Sequence, residues 1–538
     1  MPQPSTSAPS PALQELQAPR FSKRGLGALW AICLLGLVLR LWLQKDRAFE
    51  GDELGSLRFI EESYTHILTT FRDQLTMNYY LIVLKALAET LGKSPWVLVA
   101  PSVLAGVGTI WLVGALALRL GNQRLALTSA ILVAANPCLI EFSLRIRSYM
   151  LLVALSTGAI LCFYDWSRQR GWRHGIRCGL WSLAALLMHP NALYQMSFLI
   201  VMIGIELWRD RRQALSFLVP MGLAAVLTAL AYLPIQEDMA IFRERWTLNA
   251  PSEWGYLPDS MRLFFVGQGW ILASLALFGM GLWIASQESR QLSKFGLAIL
   301  VPMVVTSLMG VSHYPWTYAR FLMPILPVML VFIALALTHL SRRSNLGLVL
   351  LTGMLCFTWW PRLEKVFREQ REAPYGPLAE HISALQLSEP SLYCFDPVLR
   401  GRLLPYLGEE LFCELGPFVR SSAAEQPAAL FVLTEKQALE TQASFERFGK
   451  LRLYRFDAHN KRAAAHQLFE ATGKAFVDEP IAPARLAVYY QGLMQMAQIF
   501  QNDLLELEYT RLYHLTERYQ KKHRQMPAQL RSPAMLNN

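Results

Sequence analysis

Charge is scarce in this chain. Only 17% of its 538 residues are Asp, Glu, Lys or Arg, against about 25% in soluble domains. That shortage excludes an ordinary soluble enzyme. Cysteine is scarce too: 7 in the whole length exclude a disulfide scaffold. The sequence contains no HExxH, no paired-cysteine motif, no Gly-rich phosphate loop and no placeable Ser/His/Asp order. A transition-metal, P-loop or serine-hydrolase site therefore has no sequence basis. Nor does any segment repeat with a solenoid or propeller period.

Apolar residues are abundant instead, at 53%. That rules out a disordered chain or a collagen-like fibre and points to a membrane protein with a water-exposed part. The net charge of +11 is unevenly spread. Residues 361–538 hold 22 basic and 21 acidic side chains, so nearly all the excess lies in the apolar part. A nucleic-acid binder would carry it on a soluble face; here it fits the control of membrane topology, and no nucleic-acid partner is expected.

Residues 1–24 read as a disordered cytoplasmic tail rich in Pro, Ser, Gln and Ala, ending in Arg20, Lys23 and Arg24. Residues 25–43 form an apolar run too long for a signal peptide and lacking an A-x-A site, so they are expected to be an uncleaved first span. Further spans are expected near 97–118, 125–140, 148–166, 177–189, 191–208, 213–234, 268–286, 295–311, 320–340 and 345–360. The run 78–92, with Lys85 and Glu89 inside, is short and is read as an interfacial helix. That choice puts the short Arg-rich connections on the cytoplasmic side. The count is about eleven to thirteen spans, with the C-terminal domain outside. The basic connections suit a bacterial inner membrane.

The outer side then collects the loop 44–96, the loop 141–147, His189 with Asn191, the loops 235–267 and 312–319, and everything after 361. Leu54, Leu57, Ile60, Tyr64, Ile67, Leu68 and Phe71 form a stripe that predicts one helix lying on the membrane. Residues 361–459 read as a small α/β domain with strands at 391–395, 429–434 and 451–456. Its cysteines, Cys394 and Cys413, suit either a disulfide or two buried thiols. Residues 460–538 read as a helical extension. Its amphipathic stretch 484–523 is expected to pack on the α/β unit or to pair with a partner helix in a homo- or hetero-oligomer.

Four constellations carry chemistry. Glu50-Gly51-Asp52-Glu53 places three carboxylates at the membrane surface, suited to take a proton from a hydroxyl or to hold a divalent cation; the same residues suit a solvated helix cap. No other cofactor is indicated. Arg145 and Arg147, in Arg-Ile-Arg-Ser-Tyr149, offer two guanidinium forks for a lipid phosphate. Snorkelling to headgroups is the plain alternative, but basic residues on the outer side run against the topology rule. Arg320, after His313-Tyr314-Pro315-Trp316, opens a span on that side and serves either an interfacial belt or a second phosphate contact. His189, in His-Pro-Asn191, is structural or part of the same site.

In this order the features resemble the GT-C membrane glycosyltransferases, specifically the family-39-like group of protein O-mannosyltransferases and the lipid A aminoarabinose transferase. Asp52-Glu53 matches the Asp-Glu pair of that group's first outer loop. Tyr79-Tyr80 matches the tyrosine pair of its second helix, although Thr76-Met77-Asn78 replaces the usual His-Pro-Pro opening. Arg147 and Tyr149 match its E-x-R-x-Y segment, with Arg145 where Glu is common. His189 and Arg320-Phe321 match its later His and its Arg-Tyr-like opening.

The resemblance covers roughly residues 25–340 and implies a GT-C transmembrane catalytic domain over 25–360. It implies transfer of a sugar, hexosyl or pentosyl, from a polyprenyl-phosphate-linked donor in the outer leaflet to a hydroxyl acceptor on a glycan, lipid or protein. Asp52 would be the general base of an inverting displacement and Glu53 its helper. Arg145, Arg147, Tyr149 and Arg320 would bind the donor phosphate, and His189, Tyr79 and Tyr80 would touch substrate or a metal. Two rivals stand beside it. A lipid-linked saccharide flippase is disfavoured because the expected spans are nearly free of charge. A non-catalytic GT-C-like scaffold is disfavoured by the intact Asp52-Glu53 pair.

Overall fold

The computed structural model describes residues 19–44, 51–71, 78–209, 211–247, 256–265, 268–288, 290–311, 319–364, 375–385, 392–394, 411, 428–434, 444–448 and 451–458. Residues 1–18 of the expected tail, Glu50, the side chain of Asp52, Thr76-Met77, residues 312–318, Cys413 and everything from 459, including 484–523, lie outside the described residues. The chain forms two compact units, one of Met1–Lys45 with Gly55–Arg368, the other of Asp46–Leu54 with Glu369–Asn538.

The first unit is helical. Its elements are α1 (Lys23–Gln44), α2 (Gly51–Phe59, which continues from the second unit's segment), α3 (Tyr64–Thr69), α4 (Asn78–Leu91), α5 (Pro95–Leu120), α6 (Gln123–Ala135), α7 (Pro137–Ser143), α8 (Tyr149–Gln169), α9 (Trp172–Met188), α10 (Ala192–Arg209), α11 (Arg211–Tyr232), α12 (Gln236–Thr247), α13 (Tyr256–Phe264), α14 (Gln268–Glu288), α15 (Arg290–Val311), α16 (Leu326–Leu340) and α17 (Asn345–Thr358). A 3-10 turn, Ala319–Ile325, leads into α16.

Local chemistry sets the helix starts. Ser94 accepts a hydrogen bond from the Val97 N–H, and Pro95 opens α5 with its φ already helical. Asn122 and Ser344 cap α6 and α17 in the same way. Asn136 ends α6, and its side chain then caps α7, which starts at Pro137; the two helices meet at 58°. The missing N–H of Pro137 breaks the ladder at that point.

Each expected span is helical. Six stretches are long and apolar enough to cross a membrane by themselves: Lys23–Leu43, Pro95–Leu120, Tyr149–Gln169, Ala214–Ile241, Ile271–Glu288 and Leu322–Leu340. The bent pair α6–α7 makes a seventh if it is one span. Shorter apolar helices, Ala192–Trp208, Leu292–Val305 and Asn345–Thr358, add to these. Helix α16 is the centre of the bundle: Leu326 to Leu337 are all buried, as expected of a helix apolar on every side. Helix α1 instead exposes Trp30, Leu34, Leu35, Val38 and Trp42, an apolar face suited to lipid.

The stripe over 53–73 is two helices, not one. Ser63 interrupts it, because its side chain accepts the His66 N–H and starts α3 afresh. Helix α4 then holds this segment: Asn78 Nδ2 donates to the carbonyls of Ile67 and Thr70, and Lys85 Nζ donates to the Ile60 carbonyl. Helix α4 is not among the stretches apolar enough to span.

The second unit contains α18 (Tyr375–Ala384) and a four-stranded sheet of β1 (Leu392–Cys394), β2 (Ala428–Thr434), β3 (Ser444–Phe448) and β4 (Leu451–Ala458). The order is β1-β2-β4-β3, with β1 parallel to β2 and the other pairs antiparallel. Three strands match the expected runs. Strand β3 does not; it is a charged edge strand whose signal is the two-residue separation Gly449-Lys450 before β4.

Candidate active site

The loop between α7 and α8 and the loop between α9 and α10 bring polar side chains to one place in the first unit. Arg147 is buried, with Nη1 donating to Ser56 Oγ at 3.2 Å. Its own carbonyl accepts from Ser102 Oγ of α5 at 3.0 Å. Tyr149 opens α8, and its ring lies 5.2 Å from the His189 ring. The Arg320 guanidinium sits 5.4 Å from the centre of the same tyrosine ring, in cation–π range. Four residues singled out by sequence, Arg147, Tyr149, His189 and Arg320, are therefore neighbours although 173 positions separate the first from the last.

His189 lies between α9 and α10. Its Nδ1 accepts the Asn191 backbone N–H at 3.1 Å, which leaves the ring proton on Nε2. Burial, and then the charges of Arg147 and Arg320, push its pKa down to about 3. The imidazole is neutral at physiological pH, so the site holds two permanent cations and one uncharged N–H donor. That set suits a phosphate oxygen or a leaving group that gains negative charge.

Arg145 is held elsewhere. Its Nη2 pairs with Glu141 Oε1 at 2.7 Å, one helical turn back, and Arg362 pairs with Glu141 Oε2 at 2.8 Å. Its guanidinium also lies 4.9 Å from the centre of the Phe142 ring. Tyr79 donates to the Ala231 carbonyl at 2.9 Å and meets Tyr232 edge-on, tying α4 to α11, while Tyr80 is buried in α4. Asp52 and Glu53 occupy the first turn of α2, and the Glu53 side chain is buried. Among the described residues no group of three His, Cys, Asp or Glu side chains could hold a metal ion.

Ser56, Ser102, Glu141 and Arg362 were not anticipated as parts of this region. Ser56 had a sequence signal in its position one turn after Asp52 on a helix. Glu141 had one in its i,i+4 spacing from Arg145.

This is the GT-C fold of membrane glycosyltransferases, in an integral membrane protein. Residues 77–234 match the family model described as dolichyl-phosphate-mannose-protein mannosyltransferase, a stretch that contains Arg145, Arg147, Tyr149 and His189. The fold is similar to that of ArnT from Cupriavidus metallidurans in the apo state, with a TM-score of 0.53 and 15% identity over 80% of this chain and 98% of that one. The same figures hold for that ArnT bound to undecaprenyl phosphate. A weaker likeness, TM-score 0.48 and 14% identity over 95% of this chain and 87% of that one, is to the archaeal oligosaccharyltransferase AglB from Archaeoglobus fulgidus. No curated protein matches the sequence.

Proposed function

We propose that the chain transfers a sugar from a polyprenyl-phosphate donor to a hydroxyl acceptor at the outer face of the membrane, with inversion at the anomeric carbon. The observation that carries this reading is the gathering of Arg147, Arg320 and a neutral His189 around Tyr149. Two guanidinium groups beside a neutral N–H donor match the oxygens of a lipid phosphate, whose charge grows as it leaves. The fold and the family match support transferase chemistry.

The acceptor oxygen attacks the anomeric carbon while Asp52 takes its proton. The bond from that carbon to the phosphate oxygen breaks, and polyprenyl phosphate leaves with the electron pair. Arg147 and Arg320 stabilise the growing charge, and His189 Nε2–H donates a hydrogen bond to it. Glu53 orients the base. Arg145, already paired with Glu141, shapes the field around the phosphate. The domain after 361 recognises the acceptor.

The test is sugar transfer in membranes carrying wild type or Asp52→Asn, with a pool of radiolabelled polyprenyl-phosphate sugars. Loss of a labelled product at equal protein level is the expected result, and the product identifies sugar and acceptor. Equal labelling by the two proteins would remove Asp52 as the base.

A further inference from the structure

Arg40 is fully buried near the end of α1, in the first span. Among the described residues its partners are all uncharged oxygens. Nε donates to Ser143 Oγ at 3.0 Å, and Nη1 donates to the Gly36 carbonyl at 3.0 Å and towards the Ala134 carbonyl at 3.5 Å. Nη2 is buried and has no hydrogen-bond partner among the described residues. A charge inside a membrane with no carboxylate beside it among the described residues is a functional-site signal.

Two of these contacts, at Ala134 and Ser143, fall on either side of the break between α6 and α7, and the third is within α1. Ala134 is in the last turn of α6, where helix termination and Pro137 leave carbonyls without N–H partners. Ser143 is the last residue of α7. Gly106 of α5 makes room for the guanidinium: a Cβ there would lie 2.2 Å from Ser143 Oγ and 2.9 Å from Arg40 Nε. From Ser143 a tight turn runs directly to the site. Leu144 and Arg145 N–H bond back to Glu141 and Phe142, Arg147 N–H bonds to the Arg145 carbonyl, and Ser102 fixes the Arg147 carbonyl.

We infer that Arg40 is a positioning residue: it pins the bent α6–α7 pair and so sets where Arg147 meets the donor phosphate. The consequence for the donor rests on the proposed function; the pinning itself does not. Replacing Arg40 by Met frees the end of α7, loosens residues 144–148 and so weakens the donor contact made by Arg147, although Arg40 itself does not touch the donor.

Arg124, at the opposite end of α6, is the matched control. It too is an arginine on carbonyls, but it donates to those of Arg342, Ser341 and Ser344 just before α17 and not to the α6–α7 break. The experiment uses purified full-length wild type, Arg40→Met, Arg40→Lys, Ser143→Ala and Arg124→Met. It measures melting temperature, amide hydrogen exchange over 144–148, and affinity for undecaprenyl phosphate. Arg40→Met is expected to speed exchange at 144–148 at least tenfold and weaken affinity at least tenfold. Arg40→Lys and Ser143→Ala should fall between it and wild type, and they carry the test if Arg40→Met does not fold. Arg124→Met should lower the melting temperature and leave both other readouts at wild-type values. Unchanged exchange at 144–148 in the Arg40 and Ser143 variants overturns the inference. So does a loss of affinity that merely follows melting temperature in every variant, Arg124→Met included. Wild type that fails to bind undecaprenyl phosphate counts against the proposed donor, and the exchange data then still decide the pin.

Discussion

The guanidinium of Arg320 lies over the ring of Tyr149, 5.4 Å from its centre, and the His189 ring lies 5.2 Å from the same ring, tilted by 37°. One aromatic ring thus meets both a permanent cation and a neutral imidazole. The ring, not the hydroxyl, makes both contacts. Tyr149→Phe is therefore expected to keep donor affinity within about threefold of wild type, and Tyr149→Ala to lose about tenfold, the scale of a partly desolvated cation–π contact. Titration with undecaprenyl phosphate reads both. Equal losses in the two variants would move the role from the ring to the hydroxyl.

Arg147 and Arg145 are two residues apart and are expected to behave differently. Arg147 is buried and donates through Nη1 to Ser56 Oγ, whereas Arg145 is paired with Glu141. Arg147→Ala should reduce transfer by about 10²-fold, consistent with about 1.5–3 kcal/mol for a hydrogen bond to a charged group. Arg145→Ala should reduce it by about threefold or less. Rates measured at saturating acceptor over a range of donor concentrations distinguish the two; a larger effect at Arg145 would contradict the assignment.

Glu141 joins two arginines from distant parts of the chain, and its side chain is 11% exposed. Glu141→Gln removes the carboxylate that the two guanidinium groups share. It is expected to destabilise the protein by about 1–3 kcal/mol, below the figure for a fully buried pair because water reaches all three side chains. Arg145→Met leaves Glu141 still paired with Arg362 and should cost less. Thermal melting of both variants in the same detergent gives the order; a lower melting temperature for Arg145→Met would reverse the argument.

Much of this arrangement was legible in the sequence. Arg147, Tyr149, His189 and Arg320 stood out because a polar group at the end of an apolar run needs a reason. What sequence could not supply was which arginine is already paired. Glu141 sits one helical turn before Arg145, and that spacing means a contact only once α7 is known to be helical and to end just before the site. The long stripe over 53–73 read as one helix because apolar spacing does not register the capping oxygen of Ser63. Arg40 was hidden in another way. A single arginine near the end of an apolar run reads as a snorkelling flank, and only the packed bundle shows that its guanidinium is enclosed.

His189 makes the last prediction, and its sign follows from linkage. Its folded pKa of about 3 lies below the unfolded value of about 6.5, so the unfolded chain binds the extra proton between those limits. The neutral ring's contribution to stability is fully present above about pH 6.5 and is lost as pH falls towards 3. Between pH 7 and pH 4.5 that loss should reach about 2.5 kcal/mol. His189→Asn, which cannot take up a proton in either state, should lack this component, so its melting temperature should approach that of wild type as the pH is lowered. Transfer between pH 6 and 8 should show no inflection from this residue, because the imidazole stays uncharged throughout. Parallel melting curves for wild type and His189→Asn across pH 4–8 would show that the ring does not titrate on unfolding. The neutral donor assigned to the phosphate would then have to be reconsidered.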